Sequence, residues 1–329
     1  MSEPKSLFAS PAIWLAPLAL CLALIGISSA SILIVIAEQE IGPNATTCNR
    51  LGIAAIAFGF WNGAQWIRRN LTGNLIGNLP AETERPESPR YAPTDIGLLA
   101  VSGISFAASL ALWAWSLTQT SIANSTLLNN MLPIFTTLGA WVVLGRQFSK
   151  RFLLGMGIAV VGAIAIAIQD LQVSSGLMGD VAALFAAILS AVNILSIEQL
   201  RVQFSAPSIM LWQSLIGGLF TLIVVLLSED VLFPTSEVGW AAVVGLGLLA
   251  QVVGQGLLTY SLKQFSSSLV AVSMLSIPII SAFLAFFIFS EHLSLQNWLA
   301  FAIVLMGIYL SISAPRVAAE IESTLSTEA

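Results

Sequence analysis

The chain has 329 residues, of which 9% are charged and 57% hydrophobic, with a net charge of −5 and a mean hydropathy of +0.90. Soluble proteins carry about 25% charged residues on average, so a water-soluble fold of this length would lack the charges to cover its surface. Soluble enzymes, nucleic-acid binders and disordered scaffolds are excluded, and the composition predicts a chain embedded in a lipid bilayer.

A helix needs about 20 apolar residues to cross the hydrocarbon core. After a polar tail at 1–11, the first apolar run, 12–37, is long enough to span. It is not preceded by the basic segment, short apolar core and cleavage motif of a secretory leader. Further runs follow at 45–67, 95–117, 122–144, 151–169, 180–200, 207–228, 238–262, 267–290 and 294–313. The sequence therefore predicts an all-α polytopic membrane protein with ten transmembrane helices. Connections are short except for 68–94, where Pro80, Pro86, Pro89 and Pro93 among alternating charges read as a solvated loop. The tail 314–329 is equally polar. Cys21 and Cys48 lie in or beside apolar runs without metal-ligand spacing, and read as small core residues. No metal site and no cofactor are expected.

With the N-terminus inside, Lys5, Arg68, Arg69, Arg85, Arg90, Arg146, Lys150, Arg151, Arg201, Lys263 and Arg316 fall on the cytoplasmic side. Of the twelve basic residues only Arg50 falls on the outer half. The positive-inside rule then places both termini in the cytoplasm of a cell (inner or plasma) membrane. Trp14, Trp66 and Trp141 at inner ends, and Trp115, Trp240 and Trp298 at outer ends, read as interfacial belts.

The sequence also repeats itself. Residues 115–166 align without a gap on 260–311 at a constant offset of 145, pairing Ser116 with Ser261, Gln119 with Gln264, Pro133 with Pro278, and Gly162 with Gly307. Upstream, Pro43 pairs with Pro207 and Glu38–Gln39 with Glu198–Gln199. The halves are thus 12–169 and 177–313, each of five helices. An odd count forces the second half to enter the membrane from the opposite face. The expected product is two inverted five-helix repeats about an axis in the membrane plane, a device by which transporters expose one site to each side in turn.

Residues 12–313 resemble the ten-helix drug/metabolite transporter superfamily, specifically the EamA-type exporters of amino acids and other metabolites. The resemblance rests on the two repeats, on Pro133 and Pro278 midway along helices four and nine, and on Glu291 at the end of helix nine. The Gly-rich helix carrying Gly307 and the early Arg50 of helix two, in "CNRLGIAA", add to it. One departure is that Arg146 stands where Glu291 stands in the second repeat.

Polar side chains are costly against lipid and should turn inward. Helix three carries Ser102, Ser105, Ser109, Trp113 and Ser116 on one helical face. Helix eight carries Gln251 and Gln255 four apart. Asn129 and Asn130 precede Pro133, Ser273 and Ser276 precede Pro278, helix six adds Ser190 and Asn193, and helix one adds Ser28 and Ser31. The amides Asn129, Asn130, Asn193, Gln251 and Gln255, with Trp113, Ser273 and Ser276, are the candidate substrate-binding residues. Pro133 and Pro278 are the candidate hinges. Arg50 and Glu38 are a candidate ion pair, as a gate or a clamp. Gly155, Ala159, Ala163 and Ala167 recur every four residues, a stripe for close packing within the chain first and a homodimer face second.

These features describe a membrane transporter moving small neutral or zwitterionic metabolites by alternating access around a central pocket. The resemblance points to amino-acid export. The implied partners are a small-molecule substrate and the lipid bilayer, with no nucleic acid. Two alternatives stand beside this reading. One is a nucleotide-sugar or sugar-phosphate exchanger, which needs deep Lys or Arg for phosphate, where Arg50 is the sole candidate. The other is a non-transporting structural or sensor protein. An intramembrane enzyme would need a metal set or paired carboxylates at depth; the lone His292 lies near a helix end, so none is expected.

Overall fold

The computed structural model describes residues 12–75, 92–120, 122–168, 176–229, 231–289 and 295–314, and these contain helices and no strand. The tails, Arg85 and Arg90 of the long loop, and Glu291 and His292 lie outside the described residues, as do the side chains of Trp14 and Ala167. In chain order the helices are α1 (Ala12–Ser28), α2 (Ala30–Ala37), α3 (Pro43–Leu75), α4 (Pro93–Gln119), α5 (Ile122–Asn129), α6 (Leu132–Leu144) and α7 (Lys150–Ile168). Then come α8 (Leu177–Leu200), α9 (Ala206–Ser228), α10 (Glu237–Gly245), a π-helical stretch Leu246–Gln255, α11 (Gly256–Ser261), α12 (Ser267–Met274), α13 (Ile277–Phe289) and α14 (Leu295–Ile312).

Among the described residues, eight helical stretches are long and apolar enough to cross a bilayer. The predicted runs at 45–67 and 151–169 are α3 and α7. Arg50, Asn62, Gln65 and Arg68 dilute the apolarity of α3, whereas α7 is apolar from Phe152 onward. Unlike the loop expected from position 68 onward, α3 stays helical through Leu75. Large apolar side chains crowd the outside of the bundle, among them Phe60 at 76% exposure and Leu227 at 84%. A surface of that kind has hydrocarbon, not water, as its natural solvent.

Each interrupted helix breaks where its chemistry requires. Proline has no N–H, and its ring would strike the carbonyl four residues back. Accordingly α5 stops at Asn129, four residues before Pro133, and α12 stops at Met274, four residues before Pro278. Between α1 and α2, Ser28 and Ser29 donate to the Leu24 and Gly26 carbonyls, both at 2.7 Å, a back-bonding that bends membrane helices. The π-helical stretch packs on α1 with backbone nearly touching backbone. A Cβ on Gly26 would lie 2.9 Å from the Leu249 carbonyl oxygen, and one on Gly254 2.9 Å from the Ile27 nitrogen.

The helices pack as α4 against α8, α7 against α14, α3 against α9, and α1 against the π-helical stretch and α11. In the α7–α14 contact, a Cβ on Gly162 would meet the Val304 nitrogen at 2.8 Å, and one on Gly307 would meet the Ala159 nitrogen at 2.3 Å. Gly155 approaches Ser311 as closely. The stripe of Gly155, Ala159 and Ala163 is therefore filled by α14 of the same chain.

Two ends of the bundle can be told apart. At one, Glu229 accepts the N–H groups of Asn44 and Ala45 at 3.0 and 2.9 Å and caps α3. Glu40 accepts from Ser236 Oγ, from the Ser236 N–H at 3.0 Å and from the Thr235 N–H at 2.9 Å, ahead of α10. The Ser236 hydroxyl, then these backbone bonds, pull the Glu40 carboxyl down to about 2 from its usual 4.5. Because the folded value is the lower one, this stabilisation is fully present above pH 4.5 and is lost as pH falls to about 2. Glu40→Gln should thus melt below the unaltered chain at pH 7. The gap should close between pH 4.5 and 2, as read from melting temperatures in detergent.

Candidate binding cavity

A cavity of about 270 Å³ opens inside the bundle, reaching from its middle toward the Glu40 end. Its walls come from α1, α2, α3, α4, α5, α6, α8, α12, α13 and the π-helical stretch. The broken helices bring Asn129, Asn130, Pro133 and Pro278 to its wall, joined by Gln255, Trp113 and Arg50. Ser109 of α4 and Ser190 of α8 also line it, hydrogen-bonded to each other at 2.5 Å.

Other residues from the same sequence pattern serve the packing around it. Asn193 donates to the Ser102 carbonyl at 2.8 Å and to its hydroxyl at 3.2 Å, holding α8 on α4. Ser273 donates to the Leu269 carbonyl and Ser276 to the Ser273 carbonyl, at 2.9 and 2.7 Å, so both are spent on their own helix turns. None of the three lines the cavity. Gln251 and Gln255, four apart in the π-helical stretch, end in different surroundings. Gln255 reaches the cavity, whereas Gln251 is wholly buried behind it.

Arg50 does not pair with Glu38. Its Nε donates at 2.8 Å to Gln251 Oε1 instead. Glu38 caps α2 and lies exposed at the end of the bundle, whereas Arg50, two turns into α3, is only 6% exposed and points inward. An ion pair lies at the opposite end, where Arg146 Nη1 meets Glu198 Oε1 at 2.6 Å. Gly145, in the left-handed region at φ 63°, ends α6 and turns the chain just ahead of Arg146.

The sequence reading missed Thr126 and Ser281, which line the cavity. Their signals are positional: Thr126 precedes Asn130 by one turn, and Ser281 follows Pro278 by one turn. Ser281 also donates to the Ser28 carbonyl at 3.2 Å, tying α13 to the bend between α1 and α2.

A lipid-facing helical bundle around a metabolite-sized, largely apolar cavity with a few amides and hydroxyls on its wall has the architecture of a membrane transport protein. The chain belongs to the EamA-like transporter family, within the drug/metabolite transporter superfamily; the family's model matches residues 14–168 and again 177–313. No curated protein matches its sequence. Twenty-nine chains of solved structures match its fold. One of them, a crystal structure described simply as that of a protein, is 16% identical, covers 90% of this chain and 96% of its own, and superposes with a TM-score of 0.73. At that identity the likeness establishes the fold alone.

Proposed function

We propose that this protein is an alternating-access carrier of small neutral or zwitterionic metabolites, with amino acids the leading class and export the direction. The observation that carries this reading is the cavity itself, walled by helices from both halves of the chain and centred on the proline breaks of α5–α6 and α12–α13. Ten spans in two inverted repeats supply the machinery. The double match of one family model supports this, as does the α7–α14 packing. There Gly162 meets Val304 and Gly307 meets Ala159, a contact that maps onto itself under the offset of 145. Matching breaks ahead of Pro133 and Pro278 are natural flexing points. Arg146, Lys150, Arg151, Arg201 and Lys263 belong to the Arg146 end, which by the positive-inside rule is the cytoplasmic one. The cavity then reaches outward while the Arg146–Glu198 pair fastens the inner end.

Reconstituted vesicles test the pocket. Asn129→Ala and Gln255→Ala should each cut counterflow of a carried substrate by roughly tenfold, the loss of about 1.4 kcal/mol expected for hydrogen bonds of this class. Asn193→Ala should act mainly on stability. Unchanged counterflow in both pocket variants would remove the pocket assignment.

A further inference from the structure

Arg50 raises a question that the carrier reading leaves open. A guanidinium stays charged in proteins and offers five donors, yet this one is 94% buried by its 6% exposure and holds one protein acceptor, the neutral Gln251. No Asp or Glu lines the cavity among the described residues. A second donor waits on the same wall, since the Trp113 Nε1–H is buried without an acceptor. Behind them, Gln251 accepts from Arg50 through its oxygen, while its amide nitrogen is buried and unpaired. Buried charge without a partner is strongly unfavourable, and unmet buried donors call for an acceptor. The remaining wall is largely apolar, with Ile27, Ile34, Phe106, Leu110 and Met274.

We infer that Arg50 and Trp113 recognise a single carboxylate, so that the cavity takes small carboxylate-bearing metabolites with an apolar tail, as free acids or zwitterions, and rejects amines and amides. This rests on the carrier reading and narrows its substrate class. An Arg–carboxylate contact is planar and bidentate, which suits one guanidinium in about 270 Å³. A doubly charged phosphate calls for further cations that this wall lacks. A substrate ammonium group meets only neutral oxygens, those of Asn129, Asn130, Gln255 and the hydroxyls of the wall, so it contributes less than the acid group.

The test uses the full-length chain and four matched probes of one shape: leucine, 4-methyl-2-oxopentanoate, leucinamide and isoamylamine, with glucose 6-phosphate as a fifth. Binding is read by thermal shift in detergent, and flux by counterflow in vesicles. The two carboxylates should bind at least tenfold tighter than the amide and the amine. Arg50→Gln should erase that preference, and Trp113→Phe, which keeps an aromatic ring and removes the N–H, should weaken the carboxylates several-fold. Amide or amine binding as tight as the acids, tightest binding by the phosphate, no binding by either acid, or an acid preference untouched in both variants would overturn the inference. The comparison of probes on the unaltered chain needs no variant to fold. Carboxylate binding without flux of any probe would instead overturn the carrier reading and leave the recognition pair standing.

Discussion

Gly307→Leu should prevent the folded protein from accumulating. A Cβ at that position would stand 2.3 Å from the Ala159 nitrogen and 2.6 Å from the Gly155 carbonyl oxygen. Both are backbone atoms of α7, so no side chain can swing aside. Overpacking a well-filled interior costs about 1–3 kcal/mol and sometimes more. With two helix backbones forced apart, the upper end of that range or beyond is expected. Membrane helices associate largely through close packing of small residues, and separating these two also loosens the Phe152, Val160, Phe301, Val304 and Ile308 cluster they share. Gly157, on α7, is the matched control. A Cβ there would meet no atom within 4 Å, so Gly157→Leu should be close to neutral. Fluorescence-detected size exclusion and melting temperature in detergent separate the two.

Arg146→Glu should destabilise the far end of the bundle and change how often it opens. Glu198 is about 10% exposed as a side chain, Arg146 about 37%, and one Glu198 oxygen already lacks a partner. Reversing the charge places two carboxylates where a 2.6 Å ion pair stood. Breaking a fully buried pair costs about 3–5 kcal/mol and an exposed one about 1 or less, so about 2 kcal/mol is expected for this half-exposed case. The swap Arg146→Glu with Glu198→Arg should recover most of the loss. In the single variant a cysteine placed at Gln264, which shares the hollow beside Arg146, should react faster with a polar maleimide. Equal reactivity in the single variant and the swap would separate this pair from any part in gating.

Much of this architecture can be read from residue order, because its causes are local. Apolar runs of spanning length become helices once lipid is the solvent, and Pro133 and Pro278 break theirs by removing an N–H and crowding the carbonyl behind. Asn129, Asn130, Gln255 and Trp113 reach the cavity because amide groups and an indole N–H are costly to turn toward lipid. What escaped the sequence depends on distant neighbours. The π-helical stretch lies where Gly254 packs against Gly26 and Ile27, a contact between the two halves of the chain. Arg50 takes Gln251, 201 positions away, over the nearby Glu38, because α3 turns it inward. Asn193 has the same chemistry as the cavity amides, yet Ser102 on the facing helix claims it. Continuation of α3 to Leu75, past its apolar run, likewise has no signal in hydropathy.

The most direct measurement is compartment-specific labelling at Lys150→Cys and Leu295→Cys, in a background with Cys21 and Cys48 replaced. These positions open α7 and α14 and correspond under the offset of 145. Inverted repeats place them on opposite sides of the membrane, so an impermeant maleimide applied outside intact cells should label position 295 and spare position 150. Labelling of both from one side would contradict the inversion, and the alternating-access carrier with it.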